Sequence, residues 1–212
     1  MAFQQVETTL YSLSEISPEP EDRCDSSRHM TLYGVGTLLI NERRELCLIK
    51  NINAGGMMVR AYCAIPQGTR VSVELKCGQP IAGTVTWFRE PNAGISFDRP
   101  IDVIDLLSAS LTGPRPRMPR IAVDSIVTVR DGASIHRLRA CDISQGGIKV
   151  HSETAIDPGS EVVVTLAGIE PQPAVVRWSE GGQLGLTFNR SLPLPVLVEW
   201  LHDQRSRGSD PR

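Results

Sequence analysis

Asp142-Ile143-Ser144-Gln145-Gly146-Gly147 brings together an acid, a hydroxyl two residues on and a glycine three further. In a strand, residues i and i+2 share a side, so the oxygens of Asp142 and Ser144 emerge together. Asp142 accepts hydrogen bonds, and Ser144 donates or accepts them. Gly146 and Gly147 let the backbone turn, or let a flat ligand come close. The pattern predicts a small polar platform at the end of a strand. It equally fits a plain strand end in which Ser144 bonds its own backbone.

Two further features raise the value of this hexapeptide. A basic run, Arg115-Pro116-Arg117-Met118-Pro119-Arg120, stands upstream of it. A second copy of the whole arrangement also lies earlier in the chain. Asn51-Ile52-Asn53-Ala54-Gly55-Gly56 precedes Asp142 to Gly147 by 91 positions, and the same offset relates Val59 to Val150, Trp87 to Trp178, Gly94 to Gly185 and Phe97 to Phe188. Arg23 and Arg28 map onto Arg115 and Arg120 with one inserted residue. Tandem copies of one domain of about 90 residues, each large enough to fold, account for this register.

Each copy is read as a series of short strands at hairpin spacing. Residues 30–40 and 44–50 flank a turn at Asn41-Glu42-Arg43, and Met57–Ala61, Val71–Leu75, Thr84–Phe88 and Gly94–Phe97 follow. The period then changes: Ile104, Leu107 and Leu111 fall at helix spacing after Pro100. Thr112-Gly113-Pro114 breaks that helix and marks the domain boundary. In the second copy Pro195 starts a short helix that packs Leu197, Trp200 and Leu201 on its barrel. The expected organisation is a flexible arm (1–22), an N-terminal domain (23–112), a C-terminal domain (113–202) and a disordered tail (203–212). The fold class is all-β: two tandem small antiparallel β-barrels, each followed by a short C-terminal helix. Trp87 and Trp178 are expected in the core or between barrel and helix.

Bulk properties narrow the function classes. The formal net charge is -2, so no global field recruits DNA or an acidic membrane, and any anion must be held by a local patch. No apolar run approaches a membrane span, and the N-terminus lacks the basic start and apolar core of a secretory signal. Five dispersed cysteines without a Cys-x-x-Cys pair point to free thiols in a reducing cytoplasm.

Basic residues, a short run, then [Asp/Asn]-x-Ser-x-x-Gly within a small β domain ending in a helix resembles the PilZ family. The resemblance covers residues 23 to about 110 and 115 to about 202. It implies barrels of about six antiparallel strands, no cofactor, and binding of the bacterial second messenger cyclic di-GMP. It also implies a protein effector as partner, with neither a nucleic acid polymer nor membrane insertion involved. Carried over residue by residue, the ligand site comprises Arg115, Arg117, Arg120, Asp142, Ser144, Gly146 and Gly147. A weaker candidate site comprises Arg23, Arg28, Asn51, Asn53 and Gly56. Guanidinium groups fork onto phosphate or onto guanine O6 and N7, and an acid accepts from the guanine N1–H and N2–H edge.

Both copies depart from the family's Arg-x-x-x-Arg pair. Pro116 stands four before Arg120, flanked by Arg115 and Arg117, and Cys24 stands four before Arg28. In the first copy Asn53 also replaces the serine. The alternative function is therefore a tandem scaffold that docks on a protein without nucleotide. An enzyme is not expected. His151-Ser152-Glu153 matches the H-x-E of zinc deaminases, yet no Pro-Cys-x-x-Cys follows, and no phosphate loop or nucleophile elbow is present.

Overall fold

The computed structural model describes residues 30–75, 80–106 and 118–208. Twelve strands form two closed antiparallel barrels of six. The first contains β1 (Met30–Ile40), β2 (Arg43–Asn53), β3 (Gly56–Ala61), β4 (Arg70–Glu74), β5 (Pro80–Arg89) and β6 (Asn92–Phe97). The second contains β7 (Ile121–Asp131), β8 (Ser134–Ser144), β9 (Gly147–His151), β10 (Glu161–Thr165), β11 (Gln172–Glu180) and β12 (Gln183–Phe188). The order around the first barrel is β1-β2-β3-β6-β5-β4, and the second repeats it as β7-β8-β9-β12-β11-β10. Closure leaves no free sheet edge. Asn41 and Glu42, both at positive φ, make the tight turn between β1 and β2, and this turn geometry matches strand twist.

Each barrel fills with alternating aliphatic side chains. Leu38, Ile49, Val59, Val73 and Ile95 belong to one core, and Val129, Ile148, Val150, Val164 and Leu186 to the other. The alternation is interrupted at the same places in both copies. Register shifts fall between Ile49 and Asn51 and between Val85 and Trp87. Their counterparts fall between Ala140 and Asp142 and between Val176 and Trp178. Each is a bulge, in which two residues oppose one and the following side chain changes face.

The tryptophans illustrate the consequence. Val176 points inward, and strict alternation would send Trp178 inward with it. The extra residue, Arg177, turns Trp178 outward, where it is 38% exposed and lies flat over Gly185. Trp87 lies over Gly94 in the same way. The expectation of tryptophans in the core or under a helix is thus corrected: both cover a glycine on the barrel exterior.

Two helices follow the barrels. The first, α1, is described over 103–106. Asp102 caps it by accepting from the backbone N–H groups of Ile104 (2.8 Å) and Asp105 (3.0 Å). Val103 and Leu106 pack on the first core, whereas Ile104, expected on the buried stripe, faces solvent. Leu107, Leu111 and the boundary at Thr112-Gly113-Pro114 lie outside the described residues. The second helix, α2 (Leu194–Gly208), buries Leu197, Trp200 and Leu201, and the Trp200 indole N–H donates to the Ala167 carbonyl at 3.1 Å. Residues 203–208, expected in a disordered tail, continue this helix. The arm at 1–22 lies outside the described residues. Cys47, Cys63 and Cys141 are free thiols, and burial pushes the Cys47 thiol up to about 12.

The reason the helix extends is the first barrel. Leu46 belongs to the second barrel's core cluster, with Val35, Leu48 and Tyr62 packed against that cluster. The Arg205 guanidinium pairs with the Glu45 carboxylate and also donates to the Arg44 carbonyl at 3.1 Å. His202 Nε2 lies 3.9 Å from Glu45. The corresponding face of the second barrel pairs Ile126 with Arg139, Thr128 with Arg137 and Arg130 with Ile135. That face is open, with Ile126 and Ile135 well exposed. Replacing Leu46 by Ala should lower stability by about 2 kcal/mol or more, measured by urea unfolding. Leu46→Arg, which copies Arg137, should separate the barrels and enlarge the radius of gyration in small-angle scattering, while strand content stays unchanged.

Candidate functional site

The bulge at Cys141 decides what the motif presents. Ala140 pairs with Val150 and faces the core, Cys141 is the extra residue, and Asp142 then pairs with Lys149 on the outside. Ile143 returns to the core opposite Ile148 and Ile121. Without the bulge Asp142 would be driven into the barrel as an unpaired charge, which is strongly unfavourable.

On the outer face Asp142 gathers two cations. Arg120, one residue before β7, places Nη1 2.6 Å from Oδ1, and Lys149 Nζ lies 3.1 Å from Oδ2. The Asp142 side chain is 19% exposed, Lys149 and Arg120 more so. Partly open pairs of this kind contribute about 0–1 kcal/mol to folding. The cluster is therefore worth more as oriented charge than as a stabilising contact. Two cations around one carboxylate leave a local positive excess on a chain whose net charge is -2.

Ser144 lies under this surface rather than on it. It is 3% exposed, and its hydroxyl donates to the Gly147 carbonyl at 3.3 Å. Asp142 and Ser144 keep the same outward side of β8, with Ile143 inward between them, but Ser144 is covered and only Asp142 reaches solvent. Asp142 is the exposed group, and Ser144 braces the turn. Gly147 sits so close to the Leu186 carbonyl that a Cβ would overlap it, whereas a Cβ on Gly146 would stand 3.2 Å from the Met118 sulfur, a tight contact that a flexible side chain relieves by a small shift. The turn is held down by Phe188 N–H to Gly146 O (3.0 Å) and Leu192 N–H to Gln145 O (2.8 Å). Arg115 and Arg117 lie outside the described residues.

Neighbouring groups are committed elsewhere. Arg139 forks onto Asp124 at 2.6 and 2.5 Å, and that hydrogen bonding holds the Asp124 carboxyl below its usual range. A hollow of about 650 Å³ beside Trp178, Glu180, Gly181 and Gln183 opens at the far end of β12 from Gly147. Between the two, Gly185 pairs with Lys149 and carries the Trp178 ring.

The first barrel keeps the geometry and loses the charge. The Asn51 side-chain oxygen accepts from Met58 N–H at 3.1 Å, and the Asn53 oxygen accepts from Gly55 N–H at 2.9 Å. Both amide oxygens are thus bonded to their own backbone, and Met58 stands where the second barrel has Lys149. Gly56 is wedged against the Ile95 carbonyl as Gly147 is against Leu186. Arg23 and Arg28 lie outside the described residues. Among the described residues no group of three or more His, Cys, Asp and Glu is placed to hold a metal ion. Among them, too, no helix is long and apolar enough to cross a membrane.

Motif reasoning alone overlooked the pairing of Lys149 with Asp142, as well as Met118 and Gln145. A two-residue turn at Gln145-Gly146 sets Ser144 opposite Gly147, and counting back along the ladder sets Asp142 opposite Lys149. The Met118 and Gln145 contacts come from segments distant in sequence and leave no such signal. Gly147→Ala should destabilise the protein by about 1–3 kcal/mol, because the obstacle is strand backbone. Gly146→Ala meets only the end of a flexible methionine and should shift the urea midpoint far less.

The segment bearing this cluster matches the PilZ domain family over residues 114–201. No curated protein matches the chain by sequence. Among solved structures, PlzA of Borreliella burgdorferi in complex with c-di-GMP is similar at 12% identity, over 84% of this chain and 93% of that one, with a TM-score of 0.38. YcgR of Escherichia coli in complex with c-di-GMP gives 15% identity over 84% and 85%, at 0.34. The Bacillus subtilis inhibitor of motility, MotI, gives 14% identity over 85% and 100%, at 0.33. The matched segment, residues 114–201, contains the second barrel and the first turns of α2.

Proposed function

We propose that the protein is a cytoplasmic cyclic di-GMP receptor whose second barrel binds the nucleotide on its outer rim, and that binding alters how the barrels or a protein effector are engaged. The observation that carries this reading is the outward Arg120–Asp142–Lys149 cluster beside the Gly146-Gly147 turn, inside the segment that matches the PilZ family. The ligand offers two phosphates and two guanines. Arg120 and Lys149 are chemically matched to phosphate, and Arg120 also to guanine O6 and N7. Asp142, released from its cations, accepts from the guanine N1–H and N2–H edge. Arg115 and Arg117 belong to the same basic run in sequence as Arg120.

In this reading the unliganded ion pairs keep the three charged groups oriented, and binding exchanges partners rather than creating charge contacts from nothing. The first barrel, whose Asn51 and Asn53 are turned onto their own backbone, serves as the responding module. Its contact with α2 offers the route by which it responds.

Calorimetry with cyclic di-GMP on the whole protein tests the proposal. Arg120→Ala should remove roughly 1–3 kcal/mol of binding, about one to two decades in affinity. Asp142→Ala should weaken binding as well, whereas Asn53→Ala should leave it unchanged. Affinity should fall as salt rises, but less steeply than for polymeric DNA. Absence of binding heat with wild-type protein would end the receptor reading and leave the protein-docking scaffold.

A further inference from the structure

We infer that Gln145 is a positioning residue that ties the ligand rim to α2 and, through α2, to the first barrel, an inference that rests on the rim being the cyclic di-GMP site. Gln145 follows Ser144 directly and sits in the turn that closes the motif. Its backbone carbonyl accepts from Leu192 N–H at 2.8 Å, and its side-chain Nε2 donates back to the Leu192 carbonyl at 2.8 Å. This reciprocal pair fixes residue 192 against the rim two residues before α2 begins.

The first barrel supplies an internal comparison. There Phe97 N–H donates to Gly55 O at 2.8 Å and Ile101 N–H donates to Ala54 O at 2.9 Å, the counterparts of the Phe188 and Leu192 bonds. Ala54 occupies the position of Gln145 and has no side chain to return the second bond. The doubled tie is therefore present in the barrel that keeps the acid and the serine, and not in the barrel that has lost them.

Beyond Leu192 the connection is stiff. Leu192, Leu194 and Leu197 are buried in the second core, and Trp200 is bonded to Ala167. The far end of the same helix places Arg205 on Glu45 and Arg44 of β2. A turn that shifts as a ligand takes hold of Asp142 and Gly146 thus pulls on the start of a rigid helix whose end rests on the other barrel. Coupling needs such a continuous physical linkage with differential contacts at both ends.

Hydrogen–deuterium exchange on the full-length protein, with and without cyclic di-GMP, tests the inference. The variants are Gln145→Ala and Gln145→Met, the latter keeping length but removing the donor without adding charge. Both should bind within about threefold of wild type, since neither removes a ligand-facing group. Wild type should show ligand-dependent protection in α2 and in β2, and both variants should lose it. Variants that retain that protection, or that lose binding by more than about tenfold, overturn the inference. A ligand-free arm separates it from the binding proposal. In unliganded protein Gln145→Ala should speed exchange at Leu192 and the first turn of α2 by roughly fivefold, the effect of one lost hydrogen bond. Unchanged rates there would dismiss the tie whether or not the nucleotide binds, while failure of wild type to bind would dismiss only the receptor reading.

Discussion

A β-strand shows alternate residues to alternate faces, and it can change that assignment only by gaining or losing a residue. The single added residue at Cys141 is the constraint on which the rest of the candidate site depends. It puts Asp142 outside opposite Lys149 and returns Ile143 to the core. A second bulge in the same barrel turns Trp178 out over Gly185, next to Lys149 in the ladder. Both bulges recur in the first barrel at equivalent positions. They are properties of the repeated scaffold, within which the two copies diverge in chemistry.

That divergence concerns charge more than shape. The strand order, the wedged glycine and the tryptophan on glycine are shared. What differs is that Asp142, Ser144 and Lys149 stand where the first barrel has Asn51, Asn53 and Met58. An aspartate with two cations holds oriented charge on the outer face. An asparagine bonded to its own backbone holds none. The outer faces of the first hairpins diverge in the complementary direction. Leu46 and Leu48 in the first barrel are apolar and covered, whereas Arg137 and Arg139 in the second face solvent. One copy has specialised for contact with its neighbour, the other for a charged rim.

Helix α2 joins these two specialisations. It packs Leu194, Leu197, Trp200 and Leu201 on the second barrel, begins two residues after the rim's last hydrogen bond, and ends against β2 of the first barrel. The sequence from His202 onward looks like a fraying tail because its residues are polar. In the fold those polar residues have a partner: Glu45 supplies the carboxylate that Arg205 needs. A polar run reads as disorder only while its charge complement is unknown.

Much of the architecture is written locally. Alternating aliphatics, turn residues at hairpin spacing and an offset of 91 between matching glycines and aromatics determine small β-barrels in tandem, because each signal reports a short-range preference. The candidate acid, the glycine turn and its basic approach are likewise visible as residue types at fixed spacing. Other features depend on partners far along the chain. The inward or outward sense of Asp142 and Trp178 follows from bulges, which need the neighbouring strand to define them. Ser144 is buried because its turn is held against β12 and residue 192, and residues 203–208 are helical because the first barrel receives them. Residue spacing thus determined which groups are available, and tertiary register decided which of them face outward, since a strand's faces are defined only against the strands beside it.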